Sequence, residues 1–148
     1  MALPATPSQT VGPFYAIGLC RSPQDELVPP SDAGAVTLTG RLLDGEGDPI
    51  DGMIEIWDGL ARRWGRSGTD AEGRFSLVVA KPGAADREAP HLDVVVFARG
   101  LLKHQLTRIY FPGEADAFDP TLVAEQENGA LRFDIRLQGD RETVFFAH

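Results

Sequence analysis

Apolar residues in this chain recur in short bursts that alternate or run together, and no long stretch carries helical spacing, so the pattern predicts strands. The clearest signal is the alternation of Leu131, Phe133, Ile135 and Leu137 with Arg132, Asp134 and Arg136. Another strand opens with Val36, Leu38 and Leu42 and stops at the turn formers Asp44-Gly45-Glu46-Gly47-Asp48-Pro49. Residues 53–57 are the next apolar run, and residues 74–80 follow the turn Asp70-Ala71-Glu72-Gly73 and end at Lys81-Pro82-Gly83. Val94, Val95, Val96 and Phe97 stand in succession within residues 91–98, which predicts a strand buried on both faces. Residues 105–111 form a further strand closed by Pro112-Gly113, and residues 143–146 a last short one. A single helical turn is expected near residues 120–126, with Asp119 as its cap. Many short strands, 16 glycines and almost no helix predict an all-β, prealbumin-like β-sandwich.

Residues 1–34 follow a different rule. Pro4, Pro7, Pro13, Pro23, Pro29 and Pro30 remove backbone donors and fix φ, so this segment can be neither a central strand nor a long helix. Its one apolar stretch, Phe14 to Leu19, suits an extended N-terminal arm that lies along another surface. The chain is therefore divided into an arm, residues 1–34, contacting a partner chain and a pocket, and a sandwich domain, residues 35–148.

Composition narrows the functional classes. A net charge of −8 over 148 residues opposes a nucleic-acid partner or an anionic membrane surface, since both need clustered Lys and Arg. An acidic small molecule would be repelled at long range and would need a specific cation beside its site. Cys20 is the only cysteine, so no internal disulfide exists. The N-terminus lacks a basic start followed by an apolar run, and no stretch approaches the roughly 20 apolar residues of a membrane span. The expected location is the cytoplasm.

A self-contained catalytic site is hard to assemble from what remains. His91, His104 and His148 are far apart, Tyr15 and Tyr110 are the only tyrosines, and no phosphate loop or nucleophile elbow is present. Arg99 stands out by context, because it ends the most apolar strand and precedes Gly100. It reads either as an exposed turn residue or as a fork of N–H donors for a carboxylate, a task arginine performs better than lysine.

The residues then suggest a family. Thr6-Pro7-Ser8-Gln9-Thr10-Val11-Gly12-Pro13-Phe14 resembles the opening motif of intradiol ring-cleavage dioxygenases. The likeness continues through Ile54-Glu55-Ile56-Trp57, Lys81-Pro82-Gly83, Pro90-His91 and Phe97-Ala98-Arg99-Gly100. It closes with Thr107-Arg108-Ile109-Tyr110-Phe111, the block from Arg132 to Gly139, and Glu142-Thr143-Val144-Phe145-Phe146. Catalytic chains of this family hold non-haem Fe(III) through two tyrosines and two histidines and use O2 to open catechol rings. Carried over position by position, the two histidines fall on His91 and Asp93. The tyrosines fall near Ala85 and near Trp64 or Gly65, so at most one of four ligands survives.

The resemblance therefore implies an alpha, iron-free subunit of a hetero-oligomer that converts protocatechuate and O2 to 3-carboxy-cis,cis-muconate. Fe(III) would be bound by the partner beta chain, not by this chain, and heterodimers would assemble further. By the same resemblance Thr10, Gly12 and Pro13 line the substrate pocket and Arg99 meets the substrate carboxylate; no residue of this chain is expected to be catalytic or to ligate metal. Glycine permits close backbone approach to a ligand and proline stiffens the wall. The chain is shorter than typical members between Trp57 and Arg66 and between Gly83 and Pro90, where the missing ligands would sit. A stand-alone prealbumin-like binding or structural module is the alternative, although such a module has no need of the opening arm or of the closing Glu-Thr-Val-Phe-Phe.

Overall fold

The computed structural model describes residues 3–84, 88–113 and 119–147. Among the described residues, nine strands form two sheets. Strands β1 (Ala35–Leu43), β4 (Arg74–Ala80), β7 (Glu125–Glu127), β8 (Ala130–Arg132) and β9 (Ile135–Arg136) make the first, in the order β4-β1-β8-β7 with β9 also on β1. Strands β2 (Gly52–Asp58), β3 (Arg63–Gly68), β5 (His91–Ala98) and β6 (Gln105–Tyr110) make the second, in the order β3-β2-β5-β6. The sheets meet through their alternate residues. Leu38, Leu42, Leu77, Val79, Leu131 and Ile135 on one side are buried in the same core as Ile54, Ile56, Leu92, Val94, Val96 and Ile109 on the other. The all-β sandwich expected from the sequence is the fold found.

Two expectations about strands need correction. β5 is not buried on both faces: Leu92, Val94, Val96 and Ala98 are buried, while His91, Asp93, Val95 and Phe97 are only partly covered. Valine favours strands whichever side it faces, so the run of valines hid an ordinary alternation. The stretch from Leu131 to Leu137 is not one strand but two, β8 and β9, both parallel to β1. Between them the chain crowds Gly40, where an added Cβ would stand 1.9 Å from Phe133 O. There the Asp134 carboxylate accepts the Arg41 N–H at 3.0 Å, taking the place of a ladder carbonyl.

The two ends of the predicted helical turn behave differently. Residues Pro120–Leu122 form a single 3-10 turn, with Asp119 accepting from Thr121 N at 2.9 Å, but residues 125–127 belong to β7. Residues 143–146 are no strand; Phe146 N–H reaches Leu106 O at 2.8 Å, and the Thr143 hydroxyl accepts from Arg136 N at 3.0 Å.

The segment before β1 holds a short helix, α1 (Tyr15–Leu19), on the outer face of the second sheet. Beyond it the chain stitches the two sheets together: Arg66 N–H on β3 donates to Gln24 O, and Val78 on β4 bonds both Asp25 O and Leu27 N–H. Tyr15 is buried, whereas Phe14 and Ile17 are each 75% exposed. No helix among the described residues is long and apolar enough to cross a membrane.

Candidate functional site

Three of the four expected pocket residues lie in residues 10–13, the last extended stretch before α1; the fourth, Arg99, follows the end of β5. Thr10 ties them together. Its hydroxyl donates to Ala98 O at 3.2 Å and accepts the Gly100 N–H at 2.8 Å, clamping the turn on both sides of Arg99. Gly100 has a φ of +95°, the left-handed region in which glycine carries no Cβ penalty, so the turn is sharp enough to expose Arg99. Gly12 and Pro13 follow on the exposed surface. A Cβ at Gly12 would meet nothing within 4 Å among the described residues.

Arg99 is half exposed, with its Nη1 3.7 Å from Asp51 Oδ2 and its backbone N–H donating to Asp51 O at 3.0 Å. The other Asp51 oxygen accepts from the buried Tyr15 hydroxyl at 2.5 Å, and the same phenol reaches Gly52 O at 2.6 Å. Burial first, then the hydrogen bond and charge of Asp51, hold the Tyr15 phenol well above its ordinary range. It stays a neutral donor at physiological pH. Whether Tyr15 reaches the pocket was left open by the sequence, and Asp51 was not singled out there because 36 residues separate the two.

An open cleft of about 490 Å³ adjoins the clamped turn, bounded by Gln9 and Val11 of the arm and by Phe97, Leu101, Leu102 and His104. The His104 ring leans on Phe97, with centroids 5.5 Å apart. A larger opening of about 820 Å³ lies along the seam between β3 and β4, and neither it nor the smaller cleft has Thr10, Gly12, Pro13 or Arg99 in its lining. The smaller cleft is the one whose lining includes chain neighbours of the expected residues, Val11, Ala98 and Leu101.

The positions that correspond to metal ligands fall on the outer face of the second sheet. Trp64, Trp57, Asp93 and Arg108 stand in one cross-strand row, and His91 lies one step along. The row does not fit a ferric ion. Arg108 Nε donates to Asp93 Oδ1 at 3.1 Å and its Nη1 lies 3.7 Å from Glu88 Oε2, so a guanidinium already neutralises the carboxylates. His91 shares its Nδ1 with Ala89 O at 2.9 Å, and its Nε2 lies 3.7 Å from both Glu88 and Asp93. The Trp64 indole presents an N–H donor, buried without a partner, where a phenolate oxygen would be needed. Among the described residues no group of three or more His, Cys, Asp and Glu is arranged to hold a metal. Ala85 lies outside the described residues.

No family model matches the chain. It is 39% identical over 196 aligned positions to the protocatechuate 3,4-dioxygenase alpha chain of Burkholderia cepacia, covering 97% of this chain and 98% of that one. The aligned span exceeds this chain's 148 residues because the relative carries insertions. The beta chain of the Burkholderia cepacia enzyme is 30% identical over 133 positions, covering 71% of this chain and 57% of that one. In three dimensions, the dioxygenase domain of a Streptomyces sp. SirexAA-E fusion protein superposes with a TM-score of 0.64 at 26% identity, covering 90% of this chain and 99% of the domain. With this similarity along almost its whole length, the chain belongs to the protocatechuate 3,4-dioxygenase alpha-chain family of intradiol dioxygenases.

Proposed function

We propose that this chain is the iron-free subunit of a hetero-oligomeric protocatechuate 3,4-dioxygenase. The beta chain carries the non-haem iron that supplies ring-opening chemistry with O2. The alpha chain supplies part of the substrate pocket, and the product is 3-carboxy-cis,cis-muconate. Arg99 receives the substrate carboxylate. Thr10 holds the turn that presents it, and Gly12 and Pro13 form a wall facing the partner. The arm of residues 1–34 contacts the beta chain through its first part, with Phe14 and Ile17 as exposed apolar contacts, while residues 24–28 are held on this chain's own sheets. Heterodimers assemble into a larger oligomer.

The observation that carries this reading is the contrast between two arginines. Arg108 is engaged by two carboxylates in the row where the family places iron, while Arg99 is half exposed, with no hydrogen bond to its guanidinium among the described residues. One arginine closes a metal site; the other stands ready for a carboxylate. Purifying the chain alone and with its beta chain, then measuring iron and dioxygen uptake, tests the proposal. Neither iron nor activity is expected alone, and both are expected in the complex. Stoichiometric iron and full turnover in the isolated alpha chain would overturn it.

A further inference from the structure

Arg99 is held at its backbone from two sides, and only one of them involves a charge. Thr10 fixes the flanking Ala98 O and Gly100 N. Asp51 takes the Arg99 N–H on its carbonyl and faces the guanidinium with Oδ2 at 3.7 Å. That separation is an ion pair but too long for a hydrogen bond, so the contact restrains the side chain while leaving its N–H donors available. An exposed pair of this kind is weak when both partners are loose. Here one partner is not loose, because the buried Tyr15 phenol grips the other Asp51 oxygen.

We propose that Asp51, oriented by Tyr15, is a positioning residue that sets the standing direction of Arg99 and thereby determines how strongly the enzyme distinguishes a carboxylated catechol from an uncharged one. The inference rests on the assignment of Arg99 to the substrate carboxylate. A long side chain aimed in advance loses less conformational entropy on clamping its ligand. The incoming carboxylate replaces the Asp51 ion pair without breaking a hydrogen bond. Tyr15 belongs to α1 and Asp51 precedes β2, so the device also couples the seating of the arm to the readiness of Arg99.

The test uses the complete enzyme, reconstituted with its beta chain, carrying Asp51→Asn, Tyr15→Phe, Arg99→Ala or Asp51→Asn with Arg99→Ala. Asparagine keeps an acceptor for Tyr15 and removes only the charge. KM and kcat are measured for protocatechuate, and KM, or Ki where turnover is slow, for catechol. Asp51→Asn is expected to raise KM for protocatechuate about five-fold with kcat unchanged and to leave catechol within about two-fold. Tyr15→Phe should move protocatechuate in the same direction, and Asp51→Asn should have no effect once Arg99 is alanine. Equal effects on both substrates, an unchanged or lowered KM for protocatechuate, or an effect that persists without Arg99 would each overturn the proposal. If Arg99→Ala discriminates between the substrates and Asp51→Asn does not, only the positioning role fails. If Arg99→Ala itself does not discriminate, the carboxylate assignment fails with it.

Discussion

Replacing Arg66 by alanine should cost this chain about 3–5 kcal/mol of unfolding free energy. Arg66 on β3 and Glu55 on β2 are cross-strand partners with side chains only 16% and 11% exposed. Arg66 Nε donates to Glu55 Oε1 at 2.9 Å, and a second N–H reaches the same oxygen. The guanidinium also lies over the Trp64 ring, 4.8 Å from its centroid, and donates to Leu19 O at 2.9 Å. Removing it strands a buried carboxylate, which accounts for most of the cost, and strips the end of α1 of its tie to the sheet. Arg66→Met with Glu55→Gln removes both charges and keeps volume, so it should recover more than half the loss. Equilibrium urea unfolding, followed by tryptophan fluorescence, reads the difference directly. A loss below about 1 kcal/mol for Arg66→Ala, or no recovery in the double variant, would show that the pair is solvated and that α1 is held by other contacts.

Arg99→Ala in the assembled enzyme should raise KM for protocatechuate roughly ten- to hundred-fold, the range of a charge-assisted hydrogen bond to a carboxylate, and affect catechol far less; steady-state oxygen uptake checks this. Gly40→Ala would drive a Cβ to 1.9 Å from Phe133 O and 2.6 Å from the Phe75 ring, so about 3 kcal/mol or more of stability should vanish, visible as a fall in the urea midpoint at unchanged slope. The backbone N–H of Asp48, followed by those of Glu46 and Gly47, holds the Asp44 carboxyl below the usual carboxylate range. Its stabilisation is therefore complete above the unfolded carboxylate pKa of about 4 and is lost as pH falls through the lower folded value. Asp44→Ala should accordingly flatten the acid limb of a stability-versus-pH curve and leave its slope near neutrality unchanged.

The sandwich was legible because its core obeys period two: Leu38, Leu42, Leu77 and Val79 all fall where alternation puts them. What escaped was decided by partners rather than by pattern. β3, with the sequence Arg-Trp-Gly-Arg-Ser-Gly, carries no alternation, and it is a strand because Glu55, Trp57 and the segment at Gln24 supply its neighbours. The β7–β8 hairpin did have a local signal. Asn128 and Gly129 have φ of 50° and 83°, the paired positive values of the two-residue turn that Asn-Gly favours, and the expected helix over the preceding residues obscured it. The apolar stretch from Phe14 to Leu19 was seen, but its helix depends on Tyr15 being drawn inward to Asp51 and Gly52. Arg99 and Thr10 were both singled out in the sequence, but their connection through the Gly100 N–H is a tertiary fact across 90 residues.

Under the proposed division of labour between the chains, charge gives a reason for an alpha chain to hold no metal of its own. The protein carries a net charge of −8, and a Debye length of about 8 Å under physiological salt limits how far any one cation can offset it. On the proposed assignment a substrate carboxylate is therefore attracted only at short range, by the half-exposed Arg99 guanidinium. In the row of Asp93 and Arg108, by contrast, the Asp93 and Glu88 carboxylates are paired with a cation that is covalently part of the chain. Substituting Arg108 by methionine keeps volume but uncovers both carboxylates next to His91. Isothermal titration of the variant with a divalent metal such as Zn2+ should show binding that the wild-type chain lacks, because a His with two carboxylates is a serviceable donor set once the competing charge is gone. Equal metal affinity in the two proteins would mean that Arg108 does not close the row, and the contrast between the two arginines would lose its force.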